Sequence, residues 1–434
     1  MHLSAAEHGF SEEQVAELTT KLKERGLVNF LRDYLTPTEP DAPQPSLRKL
    51  LLSFGFFPPS HLLHTTSNVA WLPYAKLALS RMLRHRQKLL HINTVQDAVN
   101  LLRDAKKVIV LSGAGISTSC GIPDFRSASG LYAQLQAEGK YDLDEPQDMF
   151  DIRVFRERPE IFYSFAKQIY PSNFTPSPCH RWIRSLEDRG ILLRNYTQNI
   201  DTLESSAGVK RVLQCHGSFS TASCLRCKTR VPGKTIEPYI MSQQIPFCGT
   251  CRQARDVEIA ARQERKEAKK RGKGKGKVKA TEWDDDSDSS EISEWGAESR
   301  PDIVFFGQAL DSEFDELLFL DRDEVDLLVI IGTSLKVAPV AEVLTHIPHS
   351  VPQIFINLTP VNHVKPDICL IGDADSIVTY LSHQLGWDLP PPTAVLHSPK
   401  ADGKPDVQHD AIRLPTREPL DPEDVAWISG SEDL

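Results

Sequence analysis

The sequence predicts an α/β protein: a Rossmann-like parallel sheet as the large domain, a smaller helical plus zinc-ribbon-like domain, and a helical N-terminal extension. Three observations carry that prediction. Short, continuously apolar runs alternate with helix-like segments from 106 to 385. One of them, Val108–Leu111, opens directly into a glycine-rich turn. Two Cys-x-x-Cys pairs fall inside an interruption of the alternation.

Residues 1–95 read as a helical accessory region. Ser11-Glu12-Glu13-Gln14 is a capping box ahead of Val15, Leu18 and Leu22, with Gly26 as the expected stop. Leu47–Leu52 and Tyr74–Leu90 carry further apolar faces, separated by proline-rich connections at 37–45 and 58–59. Thr94-Val95-Gln96-Asp97 caps a helix through Leu102 that leads into the glycine block. The predicted strands are then 108–111, 191–195, 211–214, 302–306, 325–331 and 353–357, all assigned to one sheet covered on both faces. Two stretches fit poorly, 135–175 (helical and aromatic) and 218–300, and are expected to build the smaller domain. Arg262–Lys279 is strongly basic and Asp284–Glu291 reverses the sign, so 252–300 is expected to be a disordered insertion. That insertion reads either as a plain solvated loop or as a nuclear-import or nucleic-acid-contacting segment, and direct DNA contact stays open. The tail 386–434, with Pro390-Pro391-Pro392, is also expected to be disordered, which leaves 96–385 as the main folded domain.

Composition narrows the function classes. Of the 434 residues 40% are hydrophobic and 25% charged, with a formal charge of −9. No apolar run approaches the roughly 20 residues of a membrane helix, so no membrane partner is expected. The N-terminus lacks the basic and apolar regions of a signal peptide. Eight cysteines over this length do not suggest a disulfide scaffold, and a reducing compartment is expected.

Cys224-x-x-Cys227 and Cys248-x-x-Cys251 lie 20 residues apart. Two tight turns at that spacing can complete a tetrahedral zinc site with no open position, which makes the metal structural. Two disulfides or four unrelated thiols are the alternatives. Cys120, Cys179, Cys215 and Cys369 have no such partners and read as small core residues.

The glycine block Leu111–Ser127 reads L-S-G-A-G-I-S-T-S-C-G-I-P-D-F-R-S. Gly113 and Gly115 mark a turn where the backbone approaches something closely, in α/β proteins usually a dinucleotide pyrophosphate. Thr118 stands where the third glycine of that fingerprint belongs, and a second loop with Asp124, Phe125 and Arg126 follows. Three more motifs sit at predicted strand ends: Thr197–Asp201, Gln214–Ser218 and Gly332-Thr333-Ser334, with Asn357 closing a fourth strand. Together they point to one crevice. His216, flanked by glycine at a strand end, could act as a general base near pH 7, or it could be structural. Asn199 and Asp201 could donate to and accept from an amide such as a nicotinamide carboxamide. A helix cap or Asx-turn is the other reading of Asp201.

The motifs G-A-G-I-S (113–117), G-I-P-D-F-R-S (121–127), T-Q-N-I-D (197–201), Q-C-H-G-S (214–218), V-F-F-G (304–307) and G-T-S (332–334), with the paired C-x-x-C, resemble the sirtuin family. These are NAD-dependent protein lysine deacylases of the silent-information-regulator type. L-L-R-N-Y-T-Q-N-I-D-T-L-E and C-H-G-S-F-S-T-A-S-C are similar to the nuclear, histone-deacetylating class, and the helical N-terminus to its fungal silencing members.

The resemblance implies that Gly113, Ala114 and Gly115 take the pyrophosphate of NAD, which is consumed as co-substrate. Asp124, Phe125 and Arg126 would form the cofactor loop, with Phe125 shielding the reacting ribose. Gln198, Asn199 and Asp201 would position the nicotinamide and its ribose, and Gly332, Ser334 and Asn357 the adenosine half. Tyr132, Ile200, Thr333, Leu358 and Ala374 join the implied cofactor contacts. An acetyl-lysine peptide, from histone tails or other proteins, would pair as a strand with Val304, Phe305, Phe306 and Gly307. The implied reaction sends the acetyl oxygen to the anomeric carbon as nicotinamide leaves. His216, with Asn199 as the second catalytic residue, then deprotonates a ribose hydroxyl, and 2′-O-acetyl-ADP-ribose results. One structural Zn²⁺ is implied at Cys224, Cys227, Cys248 and Cys251. A nuclear location, chromatin silencing, and recruitment of complex partners through 1–95 and 252–300 also follow from the resemblance. Two departures stand out: Gln308 follows V-F-F-G where relatives often carry Glu, and the span from Cys251 to Pro301 is long. Removal of longer acyl chains, mono-ADP-ribosyl transfer, and a chromatin scaffold with little turnover are the alternatives.

Overall fold

The computed structural model describes residues 9–36, 45–62, 65–84, 86–125, 130–139, 143, 145–272, 298–309, 311–338 and 340–392. Among these the strands are β1 (Val108–Ser112), β2 (Leu192–Thr197), β3 (Val212–Gln214), β4 (Gly217–Cys224), β5 (Arg230–Pro232), β6 (Ser299–Ile303), β7 (Leu327–Ile331), β8 (Gln353–Asn357) and β9 (Ile368–Ile371). Six form a parallel sheet in the order β3-β2-β1-β7-β8-β9. The chain winds outward through β2 and β3, then restarts on the other side of β1 with β7. The switch point therefore lies between β1 and β7, where open α/β sheets bind ligands at the strands' carboxyl ends.

Strand periodicity divides the core. Val108, Val110, Val329 and Ile331 face helices Val95–Asp104, Pro178–Asp188 and Ala374–Leu385. Ile109, Leu111, Leu328 and Ile330 face helices Glu313–Asp321 and Val340–His346. Both faces are dry, which is why these strands read as unbroken apolar runs. A third cluster, rich in phenylalanine, packs helices Ile152–Glu157 and Pro159–Phe165 against β4 and β6. A fourth belongs to the N-terminal helices Glu12–Leu35, Leu47–Ser53 and Asn68–Arg84. These helices dock at the amino ends of the strands, away from the switch point. Arg86 there donates to the buried Asp367 at 2.7 Å and to the Val351 carbonyl at 3.0 Å. No described helix is long and apolar enough to cross a membrane.

Several expectations need correction. Residues 302–306 do not join the parallel sheet: β6 pairs antiparallel with β4 in a three-stranded sheet of order β5-β4-β6. Its burial alternates along Ser299–Ile303, the mark of a strand with one wet face. The parallel sheet's edge is instead β9, a four-residue run too short to stand out. Gly26 breaks the helix as expected, with φ +64°, but helical turns resume directly after it as far as Leu35, and a side chain there would strike the Arg322 guanidinium that reaches the Arg25 carbonyl. Residues 252–272, expected within the disordered insertion, continue helix Gly249–Gly272. The tail is ordered as far as 392: Trp387 stacks on Arg189 at 4.6 Å, and Arg181 donates to the Pro390 carbonyl at 3.0 Å. The rest of the insertion, 273–297, and of the tail, 393–434, lies outside the described residues, as do 37–44.

Candidate active site

At the switch point the turn after β1 meets the turn after β7, and glycine is required on both sides. A methyl on Gly115 would come within 2.7 Å of the Gly332 Cα, and one on Gly113 within 2.6 Å of the Thr333 Cβ. Gly332 itself has φ +64°, a conformation that side chains rarely adopt. The turns are tied by Gly113 N–H to the Ile331 carbonyl (3.1 Å) and Gly115 N–H to the Gly332 carbonyl (2.8 Å). The glycines thus serve a close approach of protein to protein. Two of the three amides expected to hold a pyrophosphate are already committed inside the protein.

Beside this junction opens a cavity of about 270 Å³ between the sheet and the phenylalanine-rich cluster. It is lined by Ala114, Phe125, Tyr132, Gln198, Asn199, Ile200, His216 and the whole run Val304–Gly307, all singled out from the sequence. Phe150, Ile303, Gln308, Val337 and Ala338 complete the lining. Thr333 reaches it by donating its hydroxyl to Gln198 Oε1 at 2.8 Å. Gly332, Thr333, Asn357, Leu358 and Ala374 follow one another along the carboxyl ends of β7, β8 and β9, and Gly372 N–H bonds the Asn357 carbonyl at 2.9 Å. Arg126 lies outside the described residues. A second hollow of about 320 Å³, among Tyr170, Ser172, Thr202, Ser206, Lys234 and Glu237, holds none of the residues singled out.

His216 faces two carbonyl oxygens: Nδ1 lies 3.0 Å from Gln198 O and Nε2 3.1 Å from Ala338 O. A neutral imidazole has one N–H, so only one of these contacts is then a hydrogen bond. Asn199 is held rigidly, its Nδ2 donating to the Gly113 carbonyl (3.1 Å) and to Ser117 Oγ (3.2 Å). Asp201 is buried with both oxygens in use, Oδ1 accepting from Leu203 N–H (3.0 Å) and Oδ2 from Ser117 Oγ (2.7 Å). The Asx-turn reading therefore holds for one oxygen, and the other positions Ser117. Burial raises the Asp201 pKa. Behind it Glu204 is pushed up to about 8, first by burial and then by the Asp201 charge.

The four cysteines converge. Their Sγ atoms all lie within 4.8 Å of one another, with Cys224 to Cys251 at 3.8 Å and Cys227 to Cys248 at 3.6 Å. A tetrahedron with Zn–S arms of about 2.3 Å has edges of about 3.8 Å, which these two pairs match, so the cluster fits zinc. The thiols compete for protons. Hydrogen bonds from Thr229 pull Cys227 down to about 6, whereas burial, then Cys227 and Cys224, push Cys251 up to about 12. A divalent cation relieves that conflict.

A family model described as "Sir2 family" matches residues 113–339, the span holding the glycine turns, the cavity and the four cysteines. The "NAD-dependent histone deacetylase sir2" of Schizosaccharomyces pombe is 41% identical over 378 residues, covering 86% of this chain and 75% of that protein. This chain belongs to the Sir2 family.

The sirtuin-1 proteins of Drosophila melanogaster and Homo sapiens, named as NAD-dependent histone and protein deacetylases, are each 46% identical over 70% of this chain. The chain spans only about a third of their length, 34% and 35%. A solved chain described as "Structural Basis for the Mechanism and Regulation of Sir2 Enzymes" superimposes with a TM-score of 0.51 at 24% identity, over 67% of this chain and 97% of that one. That likeness shows the fold. Sequence reading of this Sir2-family site missed Phe150, Val337 and Ala338. Phe150 is an apolar residue within an aromatic stretch, and the other two lie in a loop with no motif of their own. It also missed the buried layer of Ser112, His180 and Glu204, which no spacing announces.

Proposed function

We propose that this Sir2-family chain is an NAD-dependent protein lysine deacetylase acting on acetylated lysines of histone tails or other nuclear proteins. The convergence of Asn199, His216, Phe125 and the Val304–Gly307 edge on one cavity beside the β1–β7 switch point carries the reading. Bound NAD supplies the ADP-ribosyl group that accepts the acetyl, releasing nicotinamide and ending as 2′-O-acetyl-ADP-ribose. Gln198 O accepts from His216 Nδ1–H, which leaves Nε2 as the base directed into the cleft. Ala338 O faces that nitrogen at 3.1 Å, so a bound ribose hydroxyl takes the place of this carbonyl. Asn199, fixed by Gly113 and Ser117, presents its amide to the nicotinamide end. Phe125 and Tyr132, 6.0 Å apart, keep water from the reacting sugar.

The peptide edge is narrower than the motif suggests. Phe305 N–H is held by Gln308 Oε1 (2.9 Å) and Phe306 N–H by the Phe150 carbonyl (2.8 Å), while Phe306 O accepts from Ile152 (3.1 Å). A substrate strand adds at the Val304 carbonyl and the Gly307 N–H. We read 96–385 as the catalytic domain with 218–300 as its metal-bearing module. The region 1–95, docked at the far end of the sheet, and the span 252–300 serve to recruit chromatin partners. The deciding assay offers acetylated histone peptide with and without NAD and follows both products by mass spectrometry. Acetyl loss and nicotinamide should appear together and only with NAD. Parent-rate deacetylation by His216→Ala would overturn the assignment.

A further inference from the structure

Beneath the cleft lies a polar layer with two unpartnered buried oxygens. Glu204 is fully buried, and its Oε2 has no hydrogen-bond partner. Its Oε1 accepts from Ser112 Oγ at 3.3 Å, and the Thr197 hydroxyl and its own backbone N–H also bond the carboxyl, yet burial and the Asp201 charge outweigh them. Ser112 Oγ in turn accepts from Asn195 Nδ2 at 2.9 Å, and Asn195 Oδ1 is a second buried oxygen without a partner. Two orphan acceptors thus flank one hydroxyl, and buried acceptors without donors are rare. Among the described residues no cation acts on Glu204. Around Glu204 the titratable groups are Asp201, His180 and Cys215, whose ligand atoms or charges face it from the 197–201 turn, helix Pro178–Asp188 and the end of β3. Burial keeps the His180 imidazole and the Cys215 thiol neutral. Arg184 of that helix pairs with Glu187 and Asp188 and reaches the Gly208 carbonyl.

We infer that Glu204 is a positioning residue that works protonated, so that the Asp201–Glu204 pair carries one negative charge and Ser117 and Asn199 keep their orientation at the nicotinamide end. The proton spares Asp201 a second charge among oxygens that lie within 4.8 Å of each other. Asp201 then remains an acceptor for Ser117 Oγ, which aligns Asn199. Loss of the proton repels Asp201 and disturbs that chain, which reaches the cavity-lining Asn199 through two hydrogen bonds. The inference rests on the deacetylase reading of the cleft.

The test compares pH profiles of kcat/KM for NAD in the full-length parent and in Glu204→Gln, which keeps the shape and cannot ionise. An acid titrating near 8 is about nine-tenths ionised at pH 9, so the parent should fall about tenfold relative to Glu204→Gln between pH 7 and 9. The loss should appear in KM for NAD more than in kcat. Parallel profiles would overturn the inference. Should the variant fail to fold, infrared spectra of the parent carrying isotopically labelled glutamate decide. A labelled protonated-carboxyl band must be present at pH 7 and vanish above the titration, and its absence at pH 7 overturns the proposal. A parent without NAD-dependent turnover would instead overturn the reading of the cleft, and the positioning role with it, whatever the band shows.

Discussion

The two walls of the cleft are held by different physics. On the sheet side, backbone meets backbone: the β1 and β7 turns interlock through glycines, and the polar layer beneath is buried and hydrogen-bonded. On the other side, rings meet edge to face, Phe125 on Phe150 at 5.6 Å and Phe150 on Phe165 at 5.4 Å. Four thiols close that smaller module at its far end. A wall of touching backbone has no room for an added atom and needs no ion. A wall of rings can repack after a change of shape, but its module is too small to dispense with a metal.

Metal removal should split the walls most widely. A structural zinc site of four thiolates contributes roughly 10–16 kcal/mol, and that binding energy is folding energy. Chelation with verified metal loss should therefore release amide exchange across β4, β5 and the start of helix Gly249–Gly272, while β1, β2 and β7 stay protected. Equal loss of protection in both regions, read by hydrogen-exchange mass spectrometry, would erase the distinction.

Acid should act on the sheet wall instead. Unfolded, His180 takes up a proton near pH 6.5, whereas burial in the fold holds it down to about 3. Between those values the unfolded state binds the extra proton. Stability from this group is complete above pH 6.5 and is lost as pH falls toward 3, by on the order of 4 kcal/mol. Glu204 has the opposite sign: folded, it keeps its proton up to about 8, so stability declines as pH rises from 4.5 toward 8. Urea unfolding across pH should show His180→Asn flattening only the acid side. An unchanged acid slope would mean that another group carries it.

Steric tolerance gives a smaller contrast. Gly115→Ala places a methyl 2.7 Å from backbone and should destabilise by about 3 kcal/mol, with activity falling at least tenfold. Phe150→Leu, at 6% exposure among adaptable rings, should lose only about 1–1.5 kcal/mol. Equilibrium unfolding of both variants measures the difference, and equal losses would contradict it.

These contrasts were unequally legible in the sequence. Strands buried on both faces announce themselves as unbroken runs, which placed β1, β7 and β8 to within two residues of their observed bounds. The paired cysteines were legible because ligand spacing is a local property. Residues 302–306 went to the wrong sheet because the apolar Val304-Phe305-Phe306 outweighed the alternating Ser299–Ile303 beside it. The glycine turn was located correctly, but its packing against Gly332 was not legible, since sequence does not show which chain segment a tight turn meets. Glu204 reads as an ordinary first-turn acid of a short helix. Only the fold shows that Ser112, 92 positions earlier, lies against it.

The smallest predicted effect falls on the cavity lining, at Gln308. Its Oε1 accepts from Phe305 N–H (2.9 Å) and Arg300 Nη1 (2.8 Å), and so shapes the V-F-F-G turn without a charge. Gln308→Glu keeps an oxygen at that position and gives Arg300, which burial already pushes below its usual range, an anionic partner. An ion pair adds Coulomb attraction to the Arg300 bond, but the new carboxylate must shed water beside the cavity. The two effects nearly offset, and a change within about 1 kcal/mol in stability is expected. If the glutamine's role is to hold the turn through Oε1, kcat/KM for an acetylated peptide should stay within about twofold. A fall of tenfold or more, with stability unchanged, would mean that Nε2 meets the substrate. The ring-built wall would then choose peptides by hydrogen bonding as well as by shape.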